Sequence, residues 1–535
     1  MSASIKKQIL FFLLFIVQVS GQKISVDSIK LHSQYLGSDN LEGRSTGSRG
    51  AYQAMKYLAK KLQSYRVSPA GDDNTYLQAI PMHGNIPMAA SNLLIISHGD
   101  TSRLTLNEDY MLFKGGAQTF IPTPIPMVFV GYGIIAPEYD YNDYQSVDVD
   151  GKIVVFLSGE PESEDQNYFA GKKQTIYSHV DSKQRIAISR GARGSILILG
   201  PQEFKYDDWS YRQRQFLFED VSLAYSVTGN LSLIVSPGIA EKLFAQEAYS
   251  LSGIYNMDHE GTMRSFDLSS SLSFKGVFKE REFIAHNVLG LNPGQTDSYI
   301  IVSAHFDHLG IGPAVRGDSI YNGFNDNALG VSVLLEIARV LNASMFELKR
   351  SVIFIFLTGE EKGLLGSTYY TDHPVVPLYK TVADINIDGI SIFDQFRGLI
   401  AVGAELSSLE QILSRFLSQR DLKLCKDEKY LTWMPYSDQF AFTKAGIPSV
   451  LIQDGCDYVH LSREEAFQRM RAWQKTIYHS PFDDKNQPIN YRAVEQHAQL
   501  LLDFVIYLAN SNSDPVWKEG VPFNSIRLQT IAEKR

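Results

Sequence analysis

Cysteine is scarce in this chain, because its 535 residues include only Cys425 and Cys456. Neither residue lies in the sequence context of a catalytic nucleophile, so both are interpreted as structural. In an exported protein the two could form one disulfide. Their spacing along the chain leaves their spatial separation undetermined, so the sequence predicts neither the bond nor two free thiols.

Long apolar runs are absent after the N-terminus, so no membrane-spanning helix is predicted in the mature chain. The first residues, MSASIKKQILFFLLFIVQVSGQ, combine basic Lys6 and Lys7, an apolar stretch over residues 9–17, and a small residue at Gly21. This pattern predicts a secretory signal peptide over residues 1–21. A lone N-terminal anchor is the alternative, although the apolar stretch is short for a span. We expect an exported protein, either periplasmic or secreted.

An excess of positive charge is also missing, because the formal net charge is −9. This balance excludes a general nucleic-acid partner. A composition with 44% hydrophobic and 20% charged residues is typical of a folded soluble protein. The length predicts two to four domains, and neither internal repeats nor low-complexity tracts interrupt it.

The distribution of apolar patterns divides the chain. Short β-like runs such as MVFVGYG and KIVVFLSG predict an inserted β-rich domain over residues 124–240. Strand-like and helix-like segments alternate after about residue 287, which predicts a three-layer α/β/α domain with a mixed, mainly parallel central sheet. This domain is assigned to residues 22–123 and 241–512, and residues 513–535 are interpreted as a polar tail.

Possible metal ligands follow the predicted strands of the second half. They are His305 in SAHFDHLG, Asp326 in GFNDNALG, Glu361 in TGEEKG, Asp388 in NIDGI and His479 in YHSPFDD. Because the carboxyl ends of parallel strands meet at one edge of a sheet, we expect these side chains to converge. Two imidazoles and three carboxylates suit a pair of zinc ions that share one bridging carboxylate, with Glu360 left as a base. The sequence therefore predicts a di-zinc hydrolase.

Each ligand also has a simpler interpretation when taken alone. His305 and His479 are consistent with ordinary hydrogen-bonded histidines, Asp326 with a helix N-cap, and Asp388 with a turn residue. Glu360 and Glu361 are consistent with solvated residues near a helix N-terminus. Only their joint convergence favours the metal site.

These phrases resemble the co-catalytic di-zinc aminopeptidases, the family of bacterial leucyl aminopeptidase, the Streptomyces aminopeptidase and glutamate carboxypeptidase. The segment LGSDNLEGRSTGSRGAYQAMKYLAKKL resembles the start of these enzymes. The segment VFVGYGIIAPEYDYNDYQSVDVDGKIVVFLSGEP resembles the protease-associated domain inserted into many of them, a module expected either to cover the active-site cleft or to bind other proteins.

The resemblance implies a role for each site residue. His305 and Asp388 would bind one zinc ion, Glu361 and His479 the other, and Asp326 would bridge them. Glu360 would be the general base, and Asp307 would orient His305. Tyr478 would contact the substrate carbonyl or its oxyanion, although a packing aromatic is an equal interpretation.

Some nearby residues are excluded from the predicted set. Alternation along an extended segment predicts that His308 points away from the face of His305 and Asp307. Asp318 is interpreted as a turn residue. Gln439 stands in YSDQF where many relatives have a histidine, which affects substrate contacts rather than the ligand set.

The resemblance implies a metallo-exopeptidase that acts on peptides, with an aminopeptidase as the first interpretation. A carboxypeptidase would need a cationic group for the substrate carboxylate, and Arg316, Arg397 and Arg492 are candidates. Glutaminyl cyclase relatives use a single zinc ion, which the complete ligand set disfavours. A receptor-like binding protein without a working metal centre is the non-enzymatic alternative.

Overall fold

The structure is a computed structural model. It describes residues 23–113, 119–165, 167–169, 171, 175–201, 209–226, 229–343, 347–426 and 434–533. The predicted signal peptide, residues 1–21, lies outside the described residues. Within the described part, none of the helices combines the length and apolar character needed to span a membrane.

The helices of the described residues begin and end as follows. They are α1 (Val26–Leu36), α2 (Arg49–Ser64), α3 (Val180–Ser189), α4 (Trp209–Gln215), α5 (Pro237–Phe244), α6 (Leu251–Glu260), α7 (Leu329–Ala343), α8 (Leu365–Asp372), α9 (Leu409–Ser418), α10 (Gln439–Lys444), α11 (Arg463–Thr476), α12 (Tyr491–Asn510) and α13 (Phe523–Ala532). Helix α11 begins with a capping box, in which Ser462 and Glu465 bind each other's backbone N–H groups.

The strands occupy much of the remaining chain. They are β1 (Ser68–Pro69), β2 (Leu77–Pro87), β3 (Asn92–Ser97), β4 (Asp100–Leu104), β5 (Tyr110–Leu112), β6 (Phe120–Val130), β7 (Ile135–Ala136), β8 (Tyr141–Asn142), β9 (Ile153–Leu157), β10 (Gly194–Ile198), β11 (Asp220–Leu223), β12 (Leu231–Val235), β13 (Ser265–Lys275), β14 (Phe278–Asn292), β15 (Tyr299–His305), β16 (Gly310–Val315), β17 (Asp318–Tyr321), β18 (Ser351–Leu357), β19 (Thr381–Asn386), β20 (Phe396–Val402), β21 (Lys423–Leu424) and β22 (Ser449–Tyr458).

The chain forms two compact units, of which the first comprises Met1–Pro81 and Ile284–Arg535. Its strands lie in the order β14-β18-β15-β19-β22-β20-β21. The neighbours β18, β15, β19 and β22 are parallel, whereas β14 and β20 are antiparallel to their partners β18 and β22. The sheet is therefore mixed with a parallel centre, as predicted.

Both faces of this sheet are covered by helices, because its central strands are apolar on both sides. On β18, Phe354 and Phe356 pack on one side with residues of α2, α7, α9 and α12. The alternate residues Ile353 and Ile355 pack on the other side, where Tyr370 of α8 and Phe442 of α10 cover them. The predicted three-layer α/β/α architecture is confirmed.

The second unit is Met82–Phe283, and its sheet has the order β4-β3-β13-β6-β9-β10-β12-β5. Strand β9 again contributes to apolar clusters on both sides: Val155 lies in one and Val154 in the other. Helices α5 and α6 cover the first side, and α3 packs on the second. The unit thus contains helices as well as the expected strands.

This unit differs in its bounds from the insertion predicted for residues 124–240. The later strand β13 pairs with both β3 and β6, so residues on either side of the predicted bounds belong to one sheet. Short β-like runs mark individual strands, but they do not show which distant strands pair. The resemblance of the insertion to a protease-associated domain stays a prediction.

Residues 513–535, predicted to be a polar tail, are largely exposed but are anchored to the first unit at several points. Trp517 is only 8% exposed, and its Nε1 atom donates a hydrogen bond to the carbonyl oxygen of Gly446. Arg350 forms an ion pair with Asp514 at 2.7 Å. Helix α13 follows and packs against α10. The segment is polar on average, but its single tryptophan anchors it to the first unit.

Candidate metal centre

Three adjacent parallel strands end at the same edge of the first sheet. His305 is the last residue of β15, and it lies opposite Leu357, the last residue of β18. Glu360 and Glu361 follow β18, and Asp388 follows β19 on the other side of β15. The topology therefore brings these side chains together, as the sequence predicts.

His305 faces two of the predicted carboxylates. Its Nε2 atom lies 3.1 Å from Asp388 Oδ1 and 3.3 Å from Asp326 Oδ1. Ligand atoms of His305, Glu360 and Asp388 all lie within 4.8 Å of one another. These three side chains form one potential cation site.

A second group lies on the other side of Asp326. His479 Nε2 is 3.3 Å from Asp326 Oδ2 and 3.2 Å from Glu361 Oε2. The two oxygens of Asp326 therefore face different imidazoles, Oδ1 toward His305 and Oδ2 toward His479. This is the arrangement expected of a carboxylate that bridges two cations.

His308 belongs to this second group, so the prediction that it points away is wrong. Its Nδ1 atom lies 2.5 Å from Glu361 Oε1 and 3.8 Å from Asp326 Oδ2. Strand β15 ends at His305, so the alternation rule does not extend to residue 308. Gly323 allows the close approach, because a Cβ atom there would collide with the His308 ring.

Several nitrogen and oxygen atoms of the second group lack hydrogen-bond partners, as expected of atoms that bind a cation. His308 Nδ1, His308 Nε2 and Glu361 Oε1 are buried and make no hydrogen bond, although the histidine and the carboxylate lie in contact. Buried polar atoms without partners are rare unless an ion or water binds them. Imidazole nitrogens and carboxylate oxygens are the donors that zinc accepts. The residues present therefore fit zinc.

Glu360 and Glu361 experience opposite surroundings. Burial and the carboxylates of Asp388 and Glu361 hold the pKa of Glu360 well above its usual range. Burial also acts to raise the pKa of Glu361, but the nearby His479 and His308 lower it below its usual range. Adjacent glutamates thus differ in proton affinity, which suits one ligand and one proton carrier.

Asp307 is fully buried beside His305, but its carboxylate binds other groups. Oδ1 accepts a hydrogen bond from the Glu360 backbone N–H at 3.1 Å, and Oδ2 accepts one from Thr46 Oγ1 at 3.0 Å. The His305 Nδ1 atom lies closer to the Asp307 carbonyl oxygen, at 3.2 Å, than to its carboxylate, at 3.9 Å. Asp307 thus connects the loops of His305 and Glu360.

Tyr478 stacks on the predicted ligand that follows it. The rings of Tyr478 and His479 are 3.8 Å apart between centroids and 21° from parallel. Burial, together with the carboxylates of Asp326 and Glu361, raises the pKa of the Tyr478 hydroxyl well above its usual range. The phenol therefore stays protonated and can donate a hydrogen bond.

The sequence did not reveal the residues that hold Asp388. Ser437 Oγ donates to Asp388 Oδ2, and Gln453 Nε2 donates to the Asp388 carbonyl oxygen. Asn386 Nδ2 in turn donates to Ser437 Oγ at 2.7 Å and to Gln439 Oε1 at 2.9 Å. Gln439, noted for replacing a histidine, is thus part of a network behind this ligand.

The arginines considered for substrate-carboxylate binding lie in different places. The Arg316 guanidinium lies 5.4 Å above the ring centroid of Phe482. Arg397 is exposed on β20, and Arg492 is exposed at the start of α12. Phe482 lies three residues after His479, so Arg316 is beside the loop of a predicted ligand.

Comparisons with known proteins agree with this site. Residues 287–505 match Peptidase family M28. Aminopeptidase YwaD of Bacillus subtilis (strain 168) is 25% identical over 235 residues, 43% of this chain and 46% of that protein. Aminopeptidase NAALADL1 of Mus musculus is 39% identical over 114 residues, 20% of this chain and 14% of that protein. The chain thus aligns with less than half of the length of these curated relatives.

A solved structure extends the similarity in fold to both units. The aminopeptidase from Aneurinibacillus sp. strain AM-1 superposes with a TM-score of 0.55 at 18% identity, covering 93% of this chain and 97% of that chain. At this identity the likeness concerns the fold alone. The family match spans every one of the predicted ligands, from His305 to His479. The region 287–505 of this chain therefore belongs to peptidase family M28.

Proposed function

We propose that this protein is a zinc-dependent metallo-exopeptidase, and specifically an aminopeptidase that binds two zinc ions. The observation that carries the proposal is the geometry of Asp326, whose two carboxylate oxygens face His305 and His479. In this assignment Asp388 completes the site of His305, and Glu361 completes the site of His479, beside which His308 also lies. Membership of the region in a peptidase family supports the same chemistry.

Bound zinc would supply the acidity that activates a water molecule and polarises the scissile carbonyl group. Glu360 would accept a proton from the attacking water and return it to the leaving amine. Its backbone N–H is bound by the carboxylate of Asp307, which fixes its loop beside His305. Tyr478, protonated and stacked on His479, would donate a hydrogen bond to the developing oxyanion.

The curated relatives favour an aminopeptidase over a carboxypeptidase, because YwaD of Bacillus subtilis (strain 168) and NAALADL1 of Mus musculus are both named aminopeptidases. A carboxypeptidase would need a cationic group for the substrate carboxylate. Arg316, which packs on Phe482 beside the loop of His479, is the candidate for that role.

We also propose that the protein is exported to the periplasm or secreted. The pattern of residues 1–21 supports this assignment. The disulfide between Cys425 and Cys456, whose Cα atoms are 6.3 Å apart, supports it independently. Disulfides persist in oxidising compartments and are rare in the cytosol.

The test is hydrolysis of aminoacyl 4-nitroanilides and of N-blocked dipeptides by the zinc-loaded mature protein. We expect cleavage of the anilides only, and Glu360→Gln should lower kcat by about 10²–10⁴-fold without loss of zinc. Glu347→Gln, at an exposed glutamate of the same unit, is the control and should retain activity. Cleavage of the blocked dipeptides alone would indicate a carboxypeptidase, and hydrolysis of neither would contradict the proposal.

A further inference from the structure

Asp483 binds three successive N–H groups of the loop that carries Asp326. Its carbonyl oxygen accepts from the Phe324 N–H at 2.9 Å. Its carboxylate accepts from the Asn325 N–H at Oδ1, at 2.9 Å, and from the Asp326 N–H at Oδ2, at 3.0 Å. Asp483 is fully buried and lies four residues after the ligand His479. It therefore links the loops of two predicted ligands.

Arg44 binds the carbonyl groups at the start of the same loop. Its guanidinium donates to the carbonyl oxygen of Asn322 at 2.7 Å and to that of Gly323 at 2.9 Å. Its Nε atom donates to the carbonyl oxygen of Phe306, the residue after His305, at 2.7 Å. Arg44 is also fully buried, and it belongs to the distant N-terminal segment.

Two side chains of opposite charge thus bind the backbone of residues 322–326. The anion binds N–H groups, the cation binds carbonyl groups, and each also reaches the loop of one histidine ligand. A buried guanidinium is costly unless its charge is compensated. Arg44 donates to backbone carbonyls, so its compensation comes through space from the nearby carboxylates, among them Asp307 and Asp326.

We propose that Asp483 and Arg44 are positioning residues that fix the orientation of the Asp326 carboxylate and thereby set the affinity of the site for zinc. The inference rests on the proposed function, because it concerns the same two zinc ions. Groups that orient metal ligands in other proteins change metal affinity by about 10–100-fold when they are substituted. We expect the same range here.

Asp483→Asn is the sharpest substitution. Both carboxylate oxygens accept hydrogen bonds, and Gln487 Nε2 also donates to Oδ1. An asparagine amide group must therefore face a donor in either orientation. Asp484→Asn is a matched control, because among the described residues the Asp484 carboxylate accepts hydrogen bonds from Asn486 alone, in a local turn. The same change of charge is then made one residue away.

The measurement is the dissociation constant for zinc, obtained by competition with a chromophoric chelator on the full chain. We expect Asp483→Asn to bind zinc about 10–100-fold more weakly than wild type and Asp484→Asn to bind it as wild type does. At saturating zinc, KM for an aminoacyl anilide should stay within about twofold of wild type, since Asp483 is fully buried and its carboxylate is occupied by the loop N–H groups. An unchanged zinc dissociation constant in folded Asp483→Asn would overturn the inference.

Arg44→Lys tests the other half of the clamp. Lysine keeps the charge but cannot donate along the several fixed directions of a guanidinium. We expect weaker zinc binding here too. Arg49→Lys is the control, since Arg49 is exposed and its partners among the described residues are the nearby Glu42 and Asn40. Unchanged zinc affinity in Arg44→Lys would remove Arg44 from the proposal.

A second variant covers the case in which Asp483→Asn does not fold. Gln487→Met removes one hydrogen bond to Asp483 and leaves its carboxylate in place. A several-fold weaker zinc affinity supports the inference, and wild-type affinity overturns it. If wild type itself bound no zinc, the proposed function would fail first. If wild type binds zinc and the variants bind it equally well, the inference is overturned and the proposed function is not affected.

Discussion

Glu405 lies in the short turn Ala404–Leu406 that follows β20, away from the predicted ligands. Its Oε2 atom is buried and makes no hydrogen bond. Burial raises the pKa of this carboxyl group to about 7, and the backbone N–H groups of Gly403 and Glu405 only partly oppose the shift. Above that pH the folded protein holds a buried carboxylate with an incomplete set of partners.

Glu405→Gln should therefore stabilise the protein increasingly as the pH rises above about 4.5. The folded state binds the Glu405 proton more tightly than the unfolded state, so the free energy of unfolding falls as the pH rises from about 4.5 to 7. The penalty is nearly complete at about pH 8 and is on the order of 3 kcal/mol. Urea unfolding of the first unit at about pH 4 and about pH 8 checks this. The variant should gain stability at the higher pH and almost none at the lower pH.

Glu410 gives the opposite sign and serves as the control. Its carboxylate lies 2.6 Å from Lys518 Nζ and 2.8 Å from Lys426 Nζ, and these two amines lower its pKa. Glu410→Gln should cost stability at pH 8, because a favourable charge is removed there. If both glutamine variants shifted in the same direction, the assignment of the pH effect to Glu405 burial would be wrong.

A disulfide crosses strand β20 and connects its two neighbours, β21 and β22, at one edge of the first sheet. The order of these strands places β20 between β21 and β22, and the disulfide joins Cys425, next to β21, to Cys456 on β22. Gly398 of β20 lies beneath it, and a Cβ atom there would collide with both sulfur atoms. The glycine is therefore required by the crossing rather than by its backbone conformation.

Replacing Cys425 and Cys456 with serine should lower the free energy of unfolding by about 2–4 kcal/mol, because the unfolded chain gains freedom. Gly398→Ala should also destabilise the wild type, but less in the serine background, where the sulfur atoms are gone. Urea midpoints of the four combinations check this. An equal cost of Gly398→Ala in both backgrounds would show that the crowding has another cause.

For single strands and helices, the sequence predicts the features that follow from the local pattern of apolar residues. The apolar runs of β15, β18 and β19 are continuous, so their ends and the residues that follow them could be placed. The network behind Asp388 was missed because Ser437 and Gln453 come from segments far along the chain. The alternation of side chains along a strand does not predict the direction of His308, because β15 ends at His305. The role of Asp483 cannot be predicted from the sequence, because it binds backbone N–H groups and these have no sequence motif.

At the scale of the whole molecule, long-range pairing decides what local patterns cannot. The second unit spans Met82–Phe283 because strands near both of its ends share one sheet. The C-terminal segment belongs to the first unit because Trp517 is buried there. Neither contact leaves a periodic mark in the sequence. The predicted architecture of the first unit is confirmed because its alternating strands and helices produce periodic apolar patterns in the sequence.

Each unit has its own buried apolar clusters, so the chain should not unfold in a single step. The predicted zinc ligands all belong to the first unit. Without zinc, burial and the carboxylates of Asp388 and Glu361 disfavour the charged form of Glu360 in that unit. Zinc binding should therefore stabilise one unit rather than the whole chain.

Removal of zinc should lower the melting temperature of one calorimetric transition and leave the other in place. Free zinc at 100 times its dissociation constant contributes about 2.7 kcal/mol to the unit that binds it. Differential scanning calorimetry of the chelator-treated protein, before and after addition of zinc, measures this, and the Asp326→Asn variant should show no zinc-dependent shift. Magnesium is the control, because it binds imidazole poorly and should not restore the transition. An equal zinc-dependent shift of both transitions would place zinc, or its effect on stability, outside the cluster around Asp326.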